Sequence, residues 1–146
     1  MNYRNILLNK INLKKSTIGI IGLGYVGLPL AGVFAKKNFN VIGFDIDLYK
    51  IKMLKKNKSY INHIEDKLLQ TIQKRFKATI NLDDIRKVDI IIICLPTPLN
   101  NQKNPDLSFI TKTLKNIKPY LKKGQAIVLE SSTYPGSAKE LIEPII

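Results

Sequence analysis

Apolar runs and helix-spaced stripes take turns along this chain. Near the start, Ile6, Leu7, Lys10 and Ile11 are spaced for a short amphipathic helix over residues 4–13. Thr17-Ile-Gly-Ile-Ile21 is a β-branched run that ends in glycines, the pattern of a buried strand. Residues 25–37 are rich in Leu, Ala and Val and predict a helix, with Pro29 in its first turns, where a missing N–H costs least. Asn40-Val-Ile-Gly-Phe44 is a second strand that ends in Asp45. A Lys-rich helix follows with Leu48, Ile51 and Leu54 on one face; Ser59-Tyr60 breaks it, and a further helix is expected over about residues 63–76.

Ala78–Ile80 predicts a brief strand, and Val88–Leu95 is the most strand-like stretch of all. Its core, Ile90-Ile-Ile-Ile93, has the continuous apolar character of a parallel strand covered on both faces. Pro96-Thr97-Pro98 stops it, and Leu99–Pro105 is a polar loop. Asp106 is the expected N-cap of a helix over residues 107–118. Gly124 turns the chain into a strand at Ala126–Glu130, and Pro135-Gly136 opens a last helix. Strands alternating with helices predict an α/β domain with a mostly parallel, doubly wound sheet and helices on both faces.

Composition narrows the functions open to such a domain. The chain has 146 residues, 45% of them hydrophobic, which suits one domain with a real core. The formal charge is +13, yet the 24 basic side chains include three arginines, Arg4, Arg75 and Arg86. A lysine-led excess scattered along the chain, where Lys, Ile and Asn supply 57 residues, is background composition and not a nucleic-acid surface. One cysteine (Cys94) and one histidine (His63) exclude a disulfide framework and leave a metal site almost without ligands. No apolar run reaches the roughly 18 residues of a membrane span, and Met1–Ser16 lacks the continuous apolar core of a secretory signal. A cytoplasmic location without membrane or nucleic-acid partners is the expectation.

Gly22-Leu-Gly24-Tyr-Val-Gly27 is G-x-G-x-x-G placed after a predicted strand and at the start of a predicted helix. In that context Gly22 permits the tight turn, Gly24 admits a pyrophosphate to the backbone, and Gly27 lets the helix pack close on the sheet. The helix N-terminus then offers N–H groups and partial positive charge to the phosphates, the fingerprint of a Rossmann-type fold. Asp45 lies 18 residues beyond Gly27, near the spacing of about 20 expected of the acid that binds the adenosine ribose. A carboxylate there repels a 2′-phosphate, so NAD is favoured over NADP. Asp47 could share that role but reads first as the N-cap of the next helix.

Four separated blocks resemble the UDP-glucose/GDP-mannose dehydrogenase family: Ile20 to Ala31, Cys94-Leu-Pro-Thr-Pro-Leu-Asn100, Pro105-Asp-Leu-Ser108 and Glu130-Ser-Ser-Thr-Tyr-Pro-Gly136. Ser59-Tyr-Ile-Asn-His-Ile64 is similar to the branch that acts on UDP-N-acetyl-D-glucosamine or -mannosamine in surface-polysaccharide synthesis. The resemblance implies oxidation of a sugar C6 alcohol to a carboxylate by two NAD+ in succession through a cysteine-bound thioester. It also implies dimers built on a central helix. It places Gly22, Leu23, Gly24, Tyr25, Val26 and Gly27 at the pyrophosphate, and Asp45 at the ribose. Leu95, Pro96, Thr97 and Pro98 would line the NAD cleft, with Ser132 and Thr133 beside the nicotinamide and Thr133 orienting a water or the substrate oxygen. As a strand-end residue, Thr133 could equally cap the backbone before Pro135.

The family's nucleophilic cysteine, catalytic lysine and hydrolytic glutamate belong to later segments. Cys94, inside an apolar run without a basic neighbour, reads as an inert core thiol, and Glu130 is given no catalytic part. His63 reads as a surface or helix-start residue. The domain plan is therefore an N-terminal extension over 1–15 and an NAD-binding domain over 16–146, truncated relative to the family and inactive alone, with Leu141-Ile142 and Ile145-Ile146 left as an exposed apolar edge. A standalone NAD-binding regulatory or interaction module is the alternative.

Overall fold

The computed structural model describes residues 2–99, 103–131, 133 and 136–146. Five strands form one sheet: β1 (Thr17–Ile21), β2 (Asn40–Phe44), β3 (Phe76–Thr79), β4 (Ile90–Ile93) and β5 (Ala126–Leu129). Their order is β3-β2-β1-β4-β5, and every pairing is parallel. The chain winds outward from β1 to β3, returns to β4 on the other side of β1, and continues to β5. That reversal puts a crevice between β1 and β4 at the carboxyl ends of the strands, where ligands of open α/β sheets bind.

Alternation along the strands fills two cores. Ile18, Ile20, Val41 and Ile92 face one side, where they meet α2 (Gly27–Lys36), α3 (Leu48–Lys55) and α4 (Asp66–Ile72) through Leu28, Ala31, Ile51, Leu54, Leu69 and Ile72. Ile21, Ile42, Phe44, Ile91 and Ile93 face the other side and meet α5 (Ser108–Ile117) through Ile110, Leu114 and Ile117. Both faces of β1 and β4 are thus covered, which is why these strands read as unbroken apolar runs and not as alternating ones. A 3-10 segment, Leu82–Lys87, leads into β4. Its buried Asp84 is clasped by Lys87 and Lys77, and the Lys87 hydrogen bond first holds that carboxyl below the usual carboxylate range.

α1 (Tyr3–Asn12) carries no buried residue and is tied to the domain by Lys10, whose ammonium lies 2.6 Å from Asp89. Several expected boundaries move. The helix expected over 63–76 contracts to α4, because residues 59–64 form a bent loop held by Asp66, whose carboxylate accepts from the Ser59 amide at 2.7 Å. β3 starts at Phe76, two residues earlier than expected, because register with Val41 decides it. Asp106 accepts from the Ser108 amide at 2.9 Å, one residue ahead of the α5 N-cap, Leu107. The segment after β5 forms one π-type turn, Ala138–Ile142. Its Ile142 is 5% exposed and packs in the second core with Ile145 beside it, while Ile146 is 50% exposed, so the expected apolar edge is covered only in part.

Ile91 is fully buried between β1, β5 and α5. Ile91→Ala should lower unfolding free energy by about 3 kcal/mol through lost transfer energy and the cavity left behind. Urea unfolding with an unchanged m-value checks this; a loss under about 1 kcal/mol would place Ile91 outside the core.

Candidate dinucleotide cleft

The turn after β1 is built from three glycines with three different jobs. The Gly22 amide donates to the Phe44 carbonyl at 2.8 Å, and the Cys94 amide donates to Ile21 at 2.8 Å, so the turn begins where β1 is still held on both sides. Gly22 has φ +93°, and a Cβ there would lie 2.6 Å from the Cys94 carbonyl oxygen. A Cβ at Gly27 would fall 1.8 Å from the Gly22 oxygen, so α2 starts closer to the turn than any side chain permits. At Gly24 a Cβ would meet nothing within 4 Å; this glycine faces open cleft. The first turn of α2 contains no acidic side chain, leaving its amides and the helix dipole unopposed.

A cleft of about 720 Å³ opens there, within the size range of small-molecule sites. Each strand end contributes: Gly22, Gly24, Tyr25 and Val26 after β1; Asp45, Ile46, Asp47 and Lys50 after β2; Ile80 and Leu82 after β3. Cys94, Leu95, Pro96 and Thr97 follow β4, Glu130 and Ser131 follow β5, and α5 adds Phe109, Thr113, Asn116 and Ile117. Ile46 and Phe109 are strongly exposed for apolar residues, at 97% and 47%, and offer flat hydrophobic surface to a ring system. Open backbone at Gly24, an acid-free helix start and apolar walls fit an anionic dinucleotide.

Asp45 is more engaged than the sequence suggested. Its Oδ2 accepts from the Leu23 amide at 2.9 Å and from the Lys50 ammonium at 3.2 Å, while Oδ1 accepts from the Asp47 amide at 3.0 Å. The side chain keeps 8% of its surface open. Asp47 is the N-cap of α3, accepting from the amides of Tyr49 at 2.8 Å and Lys50 at 3.4 Å. The Tyr60 hydroxyl donates to the Leu23 carbonyl, and Lys50 lies 5.8 Å from the centre of the Tyr60 ring. Burial first, then the charges of Asp45 and Asp47, push the Tyr60 phenol far above its ordinary range, so it stays a donor. Lys50 and Tyr60 were not among the expected site residues; the available signals were a lysine five residues after the ribose-type acid and the Ser59–Ile64 block that contains Tyr60.

On the β4 side, the Leu95 amide donates to Ser131 Oγ at 3.0 Å, which stitches the ends of β4 and β5 together. Ser131 was also missed, while Ser132 lies outside the described residues. Thr133 does not line the cleft; its hydroxyl pairs with that of Ser137 at 2.7 Å. Pro98 sits just beyond the lining, its carbonyl accepting from the Asp106 amide at 2.7 Å. Leu23 and Gly27 support the turn from behind: the Leu23 side chain is fully buried and presses on Gly43, where a Cβ would come within 2.7 Å of it. His63 stacks on Tyr25 with ring centres 5.9 Å apart, outside any helix. Cys94 follows β4 instead of lying inside it; it is half-buried and touches the cleft. Burial, with Glu130 adding to it, pushes its thiol up to about 11. Among the described residues no cluster of His, Cys, Asp and Glu could hold a metal, and no helix is long and apolar enough to cross a membrane.

Two outcomes follow from this geometry. Gly24→Val should fold normally, since nothing in the chain contests the space, and should lose NAD+ affinity by at least about 100-fold, as expected for a blocked backbone approach. Calorimetric titration checks it, and undiminished affinity would contradict the assignment. Cys94 should react slowly with iodoacetamide at neutral pH and accelerate as pH climbs toward 11. Because the folded thiol keeps its proton where the unfolded thiol has lost it, ionisation of Cys94 also lowers stability as pH rises above about 8.5 toward that value.

The model of the UDP-glucose/GDP-mannose dehydrogenase family, NAD binding domain, matches residues 16–146. A UDP-N-acetyl-D-glucosamine 6-dehydrogenase of Pseudomonas aeruginosa is 36% identical over 134 residues, 92% of this chain and 31% of that protein. A UDP-N-acetyl-D-mannosamine dehydrogenase of Methanocaldococcus jannaschii is 34% identical over 146 aligned residues, covering 91% of this chain and 33% of its own. The crystal structure of NDP-N-acetyl-D-galactosaminuronic acid dehydrogenase from Methanosarcina mazei superimposes with a TM-score of 0.84 at 32% identity, covering 99% of this chain and 33% of that one. The chain thus spans about a third of the length of the relatives it matches. On the glycine turn, the sheet order and these matches, it belongs to the UDP-glucose/GDP-mannose dehydrogenase family and carries that family's NAD-binding domain.

Proposed function

We propose that residues 16–146 are the cofactor half of a nucleotide-sugar 6-dehydrogenase acting on a UDP-N-acetylhexosamine for surface-polysaccharide synthesis in the cytoplasm, with residues 1–15 as an extension. The observation that carries this reading is the open cleft face of Gly24 beside an acid-free helix start, matched to a carboxylate at the end of β2. When bound there, NAD+ supplies the hydride acceptor for alcohol oxidation. The backbone amides of Gly24, Tyr25 and Val26 hold the pyrophosphate, Gly22, Leu23 and Gly27 shape the turn that presents them, and Asp45 receives the ribose hydroxyls. Leu95, Pro96 and Thr97 wall the nicotinamide end and exclude water, with Pro98 behind them tied to the Asp106 amide. The placement of Ser132 and Thr133 near the reacting carbon rests on the family resemblance alone.

Sugar oxidation to the acid needs a thiolate that can trap an aldehyde carbon. Cys94 is held as a thiol by burial and by Glu130, so that step belongs to a partner segment or to the rest of a longer chain, in an assembly of the homodimeric kind. The isolated chain should bind NAD+ more tightly than NADP+ and should give no sustained NADH with UDP-N-acetylglucosamine. Equilibrium titration of both cofactors and NADH absorbance test the two halves of this reading. Absence of NAD+ binding would overturn the cofactor assignment; steady NADH production abolished by Cys94→Ser would overturn the inactivity and give the thiol a catalytic role.

A further inference from the structure

We propose that Lys50 is a specificity-determining residue: its ammonium, fixed on the Asp45 carboxylate, lowers the penalty on a 2′-phosphate, so the cleft separates NAD+ from NADP+ less steeply than Asp45 alone would impose. This rests on the NAD reading above and deepens it. Lys50 projects from the first turn of α3 into the cleft and is fixed from two sides. Its Nζ is 3.2 Å from Asp45 Oδ2 and 5.8 Å from the centre of the Tyr60 ring. Tyr60 is itself anchored, its hydroxyl donating to the Leu23 carbonyl, and its loop is tied down where Asp66 accepts from the Ser59 amide and from the Lys58 ammonium. Leu23, Asp45, Lys50 and Tyr60 therefore close a ring of contacts that holds Leu23 by both its N–H and its C=O, and the ammonium cannot swing away without leaving both its partners.

Asp45 does not need Lys50 for satisfaction. Two backbone amides, those of Leu23 and Asp47, already bind its two oxygens. The cation's effect falls instead on the surroundings of the ribose. The charged groups lining the cleft are Asp45, Asp47, Lys50 and Glu130, the last on the far side after β5. A lone carboxylate repels a phosphate placed a few ångströms away; a carboxylate paired with an ammonium presents a dipole whose field is weaker and whose positive end can meet a phosphate oxygen. An ammonium is a compact, strongly hydrated point charge suited to phosphate without bidentate geometry. With 29% of its side chain exposed, Lys50 retains a face toward an incoming ligand while holding Asp45.

The test is calorimetric titration of NAD+ and NADP+ into the native chain, Lys50→Met and Lys50→Arg. Methionine keeps the apolar stem and removes the charge, while arginine keeps the charge. Lys50→Met should weaken NADP+ about tenfold more than NAD+, and Lys50→Arg should stay within about threefold of the native ratio, as a charge effect at this range requires. An unchanged or narrowed ratio in Lys50→Met with NAD+ binding retained overturns the proposal and leaves the cofactor reading standing. So does equal loss of both cofactors, which makes Lys50 a support for the turn, or a native chain that binds NAD+ with no measurable affinity for NADP+. A native chain that binds neither nucleotide overturns the cofactor reading and this proposal together.

Discussion

Between the carbonyl of Gly22 and the backbone of Gly27 there is no room for one carbon atom. A Cβ at position 27 would sit 1.8 Å from that oxygen and 3.2 Å from Ile20. The close approach does two things at once. It seats α2 on the sheet, so that Leu28 and Ala31 reach the core shared by Ile18, Ile20 and Val41. It also aims the helix start, with its amides and dipole, at the crevice between β1 and β4. Close packing and the aim of the helix start are two consequences of the same missing side chain.

Leu23 couples the core to the cleft. Its side chain is fully buried over Gly43, its amide is held by Asp45, and its carbonyl by Tyr60. The acid expected to select the ribose is therefore also a structural acceptor, and hydrogen bonds to a charged group are worth roughly 1.5–3 kcal/mol each. A ligand that competes for Asp45 meets a group already oriented by backbone donors, so little ordering is left for binding to supply.

The thiol at the cleft illustrates how position and chemistry can part. Cys94 touches the same cavity as the glycine turn, yet burial and Glu130 hold it protonated, the reverse of what a nucleophile needs. The strongly basic balance of the chain is likewise absent from the cleft, where among the described lining residues one lysine, Lys50, stands against three carboxylates.

The sequence alone determined the strand–helix alternation, the glycine turn and the acid at the end of β2. Each of these depends on near neighbours: β-branched runs such as Ile90–Ile93, glycine's backbone freedom, and fixed spacing within one β-α-β unit. The tertiary structure decided what depends on distant partners. The register against Val41 shifted β3, and the second core covered Ile142. Tyr60 joined the site because the 59–64 loop folds back over Leu23, a contact 37 residues apart, whereas Lys50 reaches Asp45 from only five residues on. Local preferences are written in short windows of sequence, whereas contacts closed over long loops are fixed only when the whole sheet has formed.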